Sequence, residues 1–428
     1  MTEQLLQYIW QFQYFNLNSL TTTEGEPVTI INRGSHNKNQ GPDFLKATIK
    51  IADTTWVGNI ELHVNASHWE DHQHSTDKNY HNIILHIVWK EDKKLQLPFP
   101  VLEMQNRVSK LLLGRYNEWM KAETFIPCEK NIQQVDALTW LSWKERLLVE
   151  RLQEKSAVVL QYLEESTRHW EAVCWWLLAR NFGMKVNGEA FEKIARSVAV
   201  NILAKHKSQV QQLEAMLLGQ AGLLQGNFTD AYVVLLQKEY AFLQKKYKLT
   251  SINTPVHQLR MRPSNFPAIR LAQLAMLVHN SSHLFSKIVA VQDVKELKQM
   301  FDVSANDFWH YHYVPGEASD YIEKRAGMQL IDNIIINTIA PLLFAYAQHT
   351  GENQYKARAL QWIEQLPAEK NNITKGYIAL GVPVKTALDS QALIQLKKHY
   401  CNQKRCLECA VGNKILKANE PVSLNNAE

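Results

Sequence analysis

Two neighbouring stretches decide the fold of the N-terminal region: Lys46-Ala-Thr-Ile-Lys-Ile51 and Trp56-Val-Gly-Asn-Ile-Glu-Leu-His-Val64. Apolar and polar residues alternate in the first stretch, as in a strand with one buried face. Asp53-Thr-Thr55 between them has turn composition, which predicts a hairpin. Glu61 and His63 stand two residues apart on the second strand, so their side chains point to the same face.

The pattern around this hairpin predicts an α+β protein. An initial helix is predicted near residues 3–15, and further strands at 28–32, 82–89 and 97–102, the last an edge strand because it contains prolines. From Asp136 onward the apolar spacing is helical. Helices are predicted at 138–165, 168–182, 188–204, 207–223, 228–244, 267–290, 292–302, 327–348, 353–365 and 388–399.

This change of period predicts two domains. The first, 1–125, is a mixed-sheet domain, and the second, 126–428, is a large all-α domain that ends in a cysteine-rich segment. The boundary is expected near Phe125-Ile-Pro-Cys128. A chain of 428 residues is also long enough for two or three domains.

Composition excludes several classes of protein. With 46% hydrophobic and 21% charged residues the chain has the make-up of a soluble globular protein, and its net charge of +5 is only a weak sign of an anionic partner. We see no uncharged apolar run of about 18 residues for a membrane span and no basic, cleavable leader. Five cysteines do not make a disulfide scaffold, so we expect a cytoplasmic protein.

Motifs for common cofactors are also missing from the sequence. It has no Walker loop, no Rossmann glycine fingerprint and no Gly-x-Ser-x-Gly elbow. We therefore expect no dinucleotide cofactor, no ATP-dependent chemistry and no α/β-hydrolase chemistry. The sequence leaves the oligomeric state open.

A carboxylate pair is the first candidate site. Asp43 lies in the turn-like Gly41-Pro-Asp-Phe44, and Glu61 follows on the next strand. Two carboxylates can hold Mg²⁺ with waters and a substrate phosphate. His63, as a neutral imidazole, could orient or deprotonate the attacking water. In the alternative interpretation, Asp43 caps a turn and the other two side chains face solvent.

The order of these residues resembles the PD-(D/E)XK nuclease superfamily. Asp43 stands for the first half of the motif and Glu61-x-His63 for the second, with histidine where the superfamily usually has lysine. The resemblance implies a restriction-endonuclease-like fold for the domain 1–125. It also implies a Mg²⁺-dependent nuclease in which Asp43, Glu61 and His63 are catalytic and nucleic acid is the substrate.

A histidine-rich segment, residues 67–77, is the second candidate. His68 and His72 share a helix face if this segment is helical, and with His63, His74 and Asp77 they offer a dense set of transition-metal ligands. A zinc site that activates water is the competing chemistry. Alternatively, His68, His72 and His74 bind substrate beside Glu61, or simply form local hydrogen bonds.

The C-terminal cysteines are the third candidate. Cys401, Cys406 and Cys409 stand close in sequence, and clustered thiolates hold zinc or an iron–sulfur cluster. Cys128 is the first choice for a fourth ligand, followed by His399 and Cys174. The layout loosely resembles PD-(D/E)XK nucleases that carry an iron–sulfur cluster. The alternative is that these cysteines are small buried hydrophobic residues.

Arginines around a loop are the fourth candidate. Arg262 and Arg270 flank Pro263 and Pro267, near a predicted helix start. Such arginines can bind a phosphate as substrate-binding residues. We favour the alternative, in which they hydrogen-bond loop carbonyls or pair with buried carboxylates and so tie helices together.

Phrases spread over the whole chain resemble the uncharacterised, Bacteroidetes-type DUF2851 family. They are Leu5-Leu-Gln-Tyr-Ile-Trp-Gln-Phe-Gln-Tyr-Phe15, Gly41-Pro-Asp-Phe44, Gly58-Asn-Ile-Glu-Leu-His63, Arg262-Pro-Ser-Asn-Phe-Pro267, Arg270-Leu-Ala-Gln-Leu-Ala275 and the segment from Cys401 to Gly412. This resemblance implies no activity, so function must come from the residues. Three hypotheses stand: a metal-dependent nuclease or phosphodiesterase, a non-enzymatic nucleic-acid-binding or scaffold protein with a degenerate nuclease fold, and a zinc-dependent hydrolase.

Overall fold

A computed structural model of the chain describes residues 1–37, 39–72, 74, 77–250, 252, 254–258, 265–281 and 283–417. The chain divides into two compact units, one of residues 1–143 with 396–428 and the other of residues 144–395. The units thus differ from the division expected after residue 125, because residues 126–143 and the C-terminal segment group with the N-terminal sheet.

The first unit contains a six-stranded mixed sheet that is curled into half a barrel. Its strands are β1 Val28–Asn32, β2 Ser35–His36, β3 Phe44–Ile51, β4 Thr54–Asn65, β5 Ile83–Lys90 and β6 Val101–Glu103. The strand order is β1-β3-β4-β5-β6, and β2 also pairs with β3. Strands β1 to β4 pair antiparallel, whereas β4, β5 and β6 run parallel.

The hairpin between β3 and β4 forms as the alternation predicts. Ala52 adopts a left-handed backbone (φ 49°) in the two-residue turn, and Ile51 pairs with Thr54. On β4, Ile60 and Leu62 are fully buried on one face, and Glu61 and His63 are also almost fully buried on the other. Burial on both faces fits the central place of this strand in the sheet.

Helix α1, Glu3–Phe12, contacts β4. The side chain of Thr2 caps its N-terminus by accepting a hydrogen bond from the Leu5 amide, and Leu5, Leu6 and Ile9 are buried. A short helix, α2 His68–Asp71, follows β4 and also contacts it. These contacts hold both helices against β4, the strand that carries Glu61 and His63.

The remaining α-helices are distributed over the rest of the described chain. They are α3 Lys110–Lys121, α4 Ala137–Glu165, α5 Trp170–Phe182, α6 Met184–Ser197, α7 Val200–Lys205, α8 Val210–Gln220, α9 Ala231–Tyr247, α10 Pro267–Asn280, α11 Leu284–Ala290, α12 Val294–Phe301, α13 Met328–Ile334, α14 Ala340–Thr350, α15 Asn353–Gln365, α16 Asn372–Ala379, α17 Ala387–Leu396 and α18 Ala410–Lys417.

Beyond residue 140 the described strands are two short ones, β7 His312–Val314 and β8 Glu317–Ala318. The predicted α+β architecture, a mixed sheet followed by a large helical region, is therefore confirmed. Apolar side chains of the second unit form one extensive core that includes Phe182, Met216 and Trp362.

One helical run corrects the expectation about apolar segments. Residues 328–350, in which a π-helical stretch Ile335–Ile339 joins α13 to α14, are long and apolar enough to cross a membrane, the one such case in the described chain. However, 78% of its most apolar window is buried inside the protein. A core helix of a soluble protein has the same character, so this run is weak evidence for a membrane span.

Candidate metal centre

Glu61 and Asp43 lie in direct contact. The Asp43 amide donates a hydrogen bond to Glu61 Oε2 at 3.0 Å, and the Leu62 amide donates to Asp43 Oδ2 at 3.0 Å. Gln7 of α1 donates its side-chain amide to Asp43 Oδ1 at 2.7 Å. Both oxygens of Asp43 therefore accept hydrogen bonds from the protein, whereas Oε1 of Glu61 faces the histidines.

His63 lies beside Glu61 with a ring that is fully buried. Its Nδ1 atom is 2.9 Å from Nε2 of His86, which stands opposite Glu61 in the parallel register of β4 and β5. Its Nε2 atom is 3.7 Å from Glu61 Oε1. Asp43, Glu61 and His63, predicted from sequence to converge, are thus close together.

His74 approaches the same carboxylate from the segment after α2. Its Nε2 atom lies 3.6 Å from Glu61 Oε1, and its ring stacks on Tyr80 with 3.9 Å between ring centroids. The Nε2 atoms of His63 and His74 are both buried without a hydrogen-bond partner among the described residues. Two unpartnered imidazole nitrogens therefore face one carboxylate oxygen.

His72 completes the group. One nitrogen each from His63, His72 and His74 can be chosen so that all three lie within 4.8 Å of one another, the one such set of metal-ligand atoms found in the part of the chain that is described. His72 is exposed, so the group reaches solvent there. His68 lies further out, with its ring centroid 6.1 Å from that of His63 and its Nε2 near the Asn65 side chain.

Burial controls the charges of this group. It lowers the pKa of His63 to about 2 and that of His86 to about 3, with smaller effects from the neighbouring histidines, and it also lowers the pKa of His74. Burial raises the pKa values of Asp43 and Glu61, and their mutual repulsion adds to the rise for Glu61. The imidazoles of His63, His74 and His86 are therefore neutral, and the lone pairs of His63 and His74 remain available for a metal ion.

Aromatic side chains enclose the histidines. Trp69 of α2 lies with its ring 5.2 Å from that of His74 and 5.3 Å from that of His86. Burial and the nearby carboxylates of Glu61 and Asp43 raise the pKa of Tyr80 to about 12, so its phenol stays protonated. Such a wall limits the access of water to the ligand atoms.

Of the two arginines singled out from sequence, the structure describes Arg270. Arg270 is a buried residue of α10 in the second unit, where its guanidinium donates to the side chains of Gln273 and Asn265. Gln273 in turn donates to the carbonyl of Lys324. These bonds are of the helix-tying kind that we favoured for Arg270. Arg262 lies outside the described residues.

The five cysteines are divided between the two units. Cys128, Cys401, Cys406 and Cys409 belong to the first unit, and none of the four forms a disulfide. Cys174 is fully buried in the core of the second unit. Of the fourth ligands weighed from sequence, Cys128 is therefore in the same unit as the C-terminal three and Cys174 is not. No cysteine belongs to the compact three-ligand set found among the described residues.

The chain matches the family model described as "Protein of unknown function (DUF2851)" over residues 3–372. The chain belongs to the DUF2851 family. No curated protein and no solved structure matches it. The match to DUF2851 includes the histidine group and Cys128 but ends before the segment from Cys401 to Gly412, which we had counted among the family phrases.

Sequence reasoning missed several members of this DUF2851 site. Gln7 lies far from Asp43 in the chain, and no local pattern predicts their contact. Trp69 and Tyr80 are single aromatics that carry no periodic signal. His86 had a usable signal, because a histidine inside the apolar Ile83–Lys90 strand needs a polar partner when it is buried.

Proposed function

We propose that this chain is a metal-dependent hydrolase whose metal ion is bound by Glu61, His63, His72 and His74. The observation that carries the proposal is the pair of buried Nε2 atoms, those of His63 and His74, at 3.7 and 3.6 Å from one oxygen of Glu61. Buried polar atoms in native proteins nearly always have partners, and those without one call for an explanation such as an ion.

A proton on Glu61 explains the two unpartnered imidazole nitrogens less well than a metal cation does. A hydrogen bond from a protonated Glu61 to an imidazole nitrogen requires about 2.7–3.2 Å, which is shorter than either distance. A single proton on Glu61 would also form a hydrogen bond to only one of the two imidazoles. A divalent cation between Glu61, His63 and His74 gives both Nε2 atoms and the Oε1 atom a partner. It also favours the ionised form of Glu61.

The ligand set favours a transition metal over magnesium. Mg²⁺ takes oxygen ligands in octahedral geometry, whereas imidazoles suit zinc, iron, copper or nickel. Three histidines and one glutamate therefore replace the magnesium site that we expected from Asp43 and Glu61. Zinc is the first metal to test. His63 Nδ1 can donate to His86, which leaves Nε2 as the ligand, an arrangement typical of metal-bound histidine.

The proposed reaction is hydrolysis of a phosphodiester in nucleic acid. A metal ion can polarise the phosphate and lower the pKa of a bound water so that it attacks near neutral pH. Asp43 lies in the turn before β3 and Glu61-x-His63 lies on the next strand, β4, which is the order that resembles PD-(D/E)XK nucleases. The exposed side of His72 is the side from which substrate would enter.

The test combines metal analysis with a cleavage assay. Purified protein is assayed on labelled single- and double-stranded DNA and RNA, and on an activated phosphodiester, with Zn²⁺, Mn²⁺ or Mg²⁺. We expect cleavage with Zn²⁺ or Mn²⁺ that is lost in Glu61→Gln and His63→Ala and retained in His81→Ala, a substitution of an exposed histidine nearby. Cleavage that survives the first two substitutions unchanged would overturn the proposal.

A second candidate is a non-enzymatic protein in which this metal is structural. Two observations favour it. His63 is neutral where the nuclease pattern has a lysine, and both oxygens of Asp43 already accept protein hydrogen bonds. This candidate predicts bound metal with no hydrolysis of any of these substrates, together with retained binding to nucleic acid in a mobility-shift assay.

A further inference from the structure

We infer that Cys128, Cys401, Cys406 and Cys409 form a second metal centre that holds an iron–sulfur cluster. This inference uses none of the residues of the proposed hydrolase site and stands whether or not that site is catalytic. A centre of this kind would tie the C-terminal segment to the N-terminal unit.

Tight turns gather the three C-terminal cysteines. The Lys404 amide donates to the Cys401 carbonyl, and Lys404 itself has a left-handed backbone (φ 53°). A single 3-10 turn, Cys406–Glu408, follows, and the Cys409 amide donates to the Cys406 carbonyl. The chain therefore turns between successive cysteines, and the segment that ends at Cys401 contacts the turn that begins at Cys406.

Helix α18 closes onto these turns at Gly412. A side chain there would place its Cβ 2.3 Å from the carbonyl oxygen of Cys406, so only glycine permits this approach. The amides of Val411 and Gly412 donate to the Cys409 sulfur and lower the pKa of this thiol, while burial raises it more strongly. Amide hydrogen bonds to cysteine sulfur are typical of bound clusters.

Cys128 is held next to the same segment. It immediately precedes a 3-10 helix, Glu129–Gln134, that contacts α18. Arg115 of α3 donates to the carbonyl of Ile415 at 2.7 Å, and Lys414 pairs with Asp136 at 2.8 Å. Burial raises the pKa of Cys128, and the charges of Cys401, Cys409 and Cys406 raise it further, so each of the other three thiols influences Cys128.

Four cysteines brought together in one unit are unusual as residues that only fill a protein core. Cys128, Cys406 and Cys409 are buried and unpaired, and Cys401 is half-buried. Lys404 offsets negative charge at Cys406. Cys174, by contrast, is surrounded by the apolar core of the other unit, as expected of a cysteine that only fills space.

The spacing of the thiols decides between metals. Sulfurs around one tetrahedral zinc ion lie about 4 Å apart, which would place any three of them in a compact set of ligand atoms. Among the described residues the compact set within 4.8 Å consists of histidines alone. An iron–sulfur cluster needs the wider separation of about 6 to 7 Å between its cysteine sulfurs. Three of these sulfurs do not form the compact set that a single zinc ion needs, and we therefore infer a cluster, which holds its cysteines further apart.

The test measures iron and acid-labile sulfide in full-length protein purified without oxygen, after incubation with ferrous iron, sulfide and a thiol reductant. We expect about four of each per chain and a broad visible absorption band. Sulfide is the decisive quantity, because a single metal ion bound at the histidine group contains none. Cys406→Ser and Cys409→Ser should lose both iron and sulfide, and Cys174→Ala should retain them.

X-ray absorption at the iron edge of the unaltered protein keeps the test valid if a serine variant does not fold. Iron with sulfur neighbours at cluster distances supports the inference. Protein without labile sulfide, or with one zinc ion bound by these cysteines, overturns it. So does a sulfide content that is the same in Cys409→Ser as in the unaltered protein.

Discussion

The Nε2 atom of His63 lies 3.7 Å from Oε1 of Glu61, and this imidazole is neutral at neutral pH because burial lowers its pKa to about 2. The two are neighbours on one face of β4, where the sheet and α2 bury them. An imidazole nitrogen and a carboxylate oxygen whose lone pairs point at one another are costly inside a protein unless a cation lies between them. This relationship is the basis of the metal site that we propose.

Metal binding should stabilise the folded chain. We expect Zn²⁺ at about 100 times its dissociation constant to raise the free energy of unfolding by about 2.7 kcal/mol, because only the folded chain brings the ligands together. Thermal melts of the full-length chain with and without zinc measure this effect. His74→Ala should abolish the zinc-dependent shift and His81→Ala should keep it. A shift of equal size in both variants would place the metal elsewhere.

His86 should tune the metal site without binding the metal. Its Nε2 atom is 2.9 Å from Nδ1 of His63 and can accept the proton that fixes the tautomer of that ring. We expect His86→Ala to weaken zinc affinity by about 10- to 100-fold, the usual cost of losing such a partner. Competition with a zinc chelator gives the affinity, and circular dichroism checks the fold. Unchanged affinity in a folded variant would show that His86 has no such role.

Gly58 should be required for the strand that carries the site. A Cβ at this position would lie 2.4 Å from Cγ2 of Ile84 and 2.6 Å from the carbonyl oxygen of Asn82. We expect Gly58→Ala to lower the free energy of unfolding by about 1–3 kcal/mol and to weaken metal binding by displacing β4. Denaturant titration measures the first effect.

Gly114 provides the matched control. It is exposed within α3, and nothing lies within 4 Å of the position of an added Cβ. Gly114→Ala should raise stability by about 0.5–1 kcal/mol, because alanine loses less backbone entropy in a helix. A Gly58→Ala variant as stable as Gly114→Ala would contradict the packing of β4 against β5 described above.

Glu214 should make the stability of the second unit depend on pH. Its side chain is fully buried, and burial raises its pKa from 4.5 to about 7 although Tyr232 donates a hydrogen bond to it. Between pH 4.5 and 7 the folded chain holds a proton that the unfolded chain has lost, so stability falls as the pH rises through this window.

The Glu214→Gln substitution removes this titration. Its stability should change less across the window, by an amount of up to about 3 kcal/mol. Unfolding in urea at several pH values, compared with the unaltered chain, measures the difference. Parallel curves for the two proteins would mean that Glu214 keeps the same pKa in the folded and unfolded states.

Local patterns predicted the elements well, and the reason is physical. The alternation in Phe44–Ile51 and Thr54–Asn65 records one strand pair, and the turn chemistry between them is local. The helical region is equally visible because apolar residues repeat at helical spacing. Some helix ends shifted by a few residues, the helices predicted at 188–204 and 267–290 are each two helices, and α3, α16 and α18 were not predicted. The two-residue strand Ser35–His36 was too short to show a pattern.

Long-range contacts were harder to predict. Sequence placed Glu61 and His63 on one face, but the parallel register that puts His86 opposite Glu61 is a tertiary feature. Likewise, the docking of α18 near α3 groups the C-terminal cysteines with Cys128 across most of the chain. No period in the sequence records such contacts. The histidine-rich segment was recognised, whereas the choice of His72 and His74 over His68 depends on how α2 ends.

Anomalous X-ray diffraction from crystals grown with Zn²⁺ tests the central claim most directly. Data collected on either side of the zinc absorption edge locate the metal without reference to activity. The account predicts a peak at about 2.0–2.2 Å from imidazole nitrogens of His63, His72 and His74 and from a carboxylate oxygen of Glu61. A well-ordered group of these four side chains with no anomalous peak between them, at saturating zinc, would contradict it.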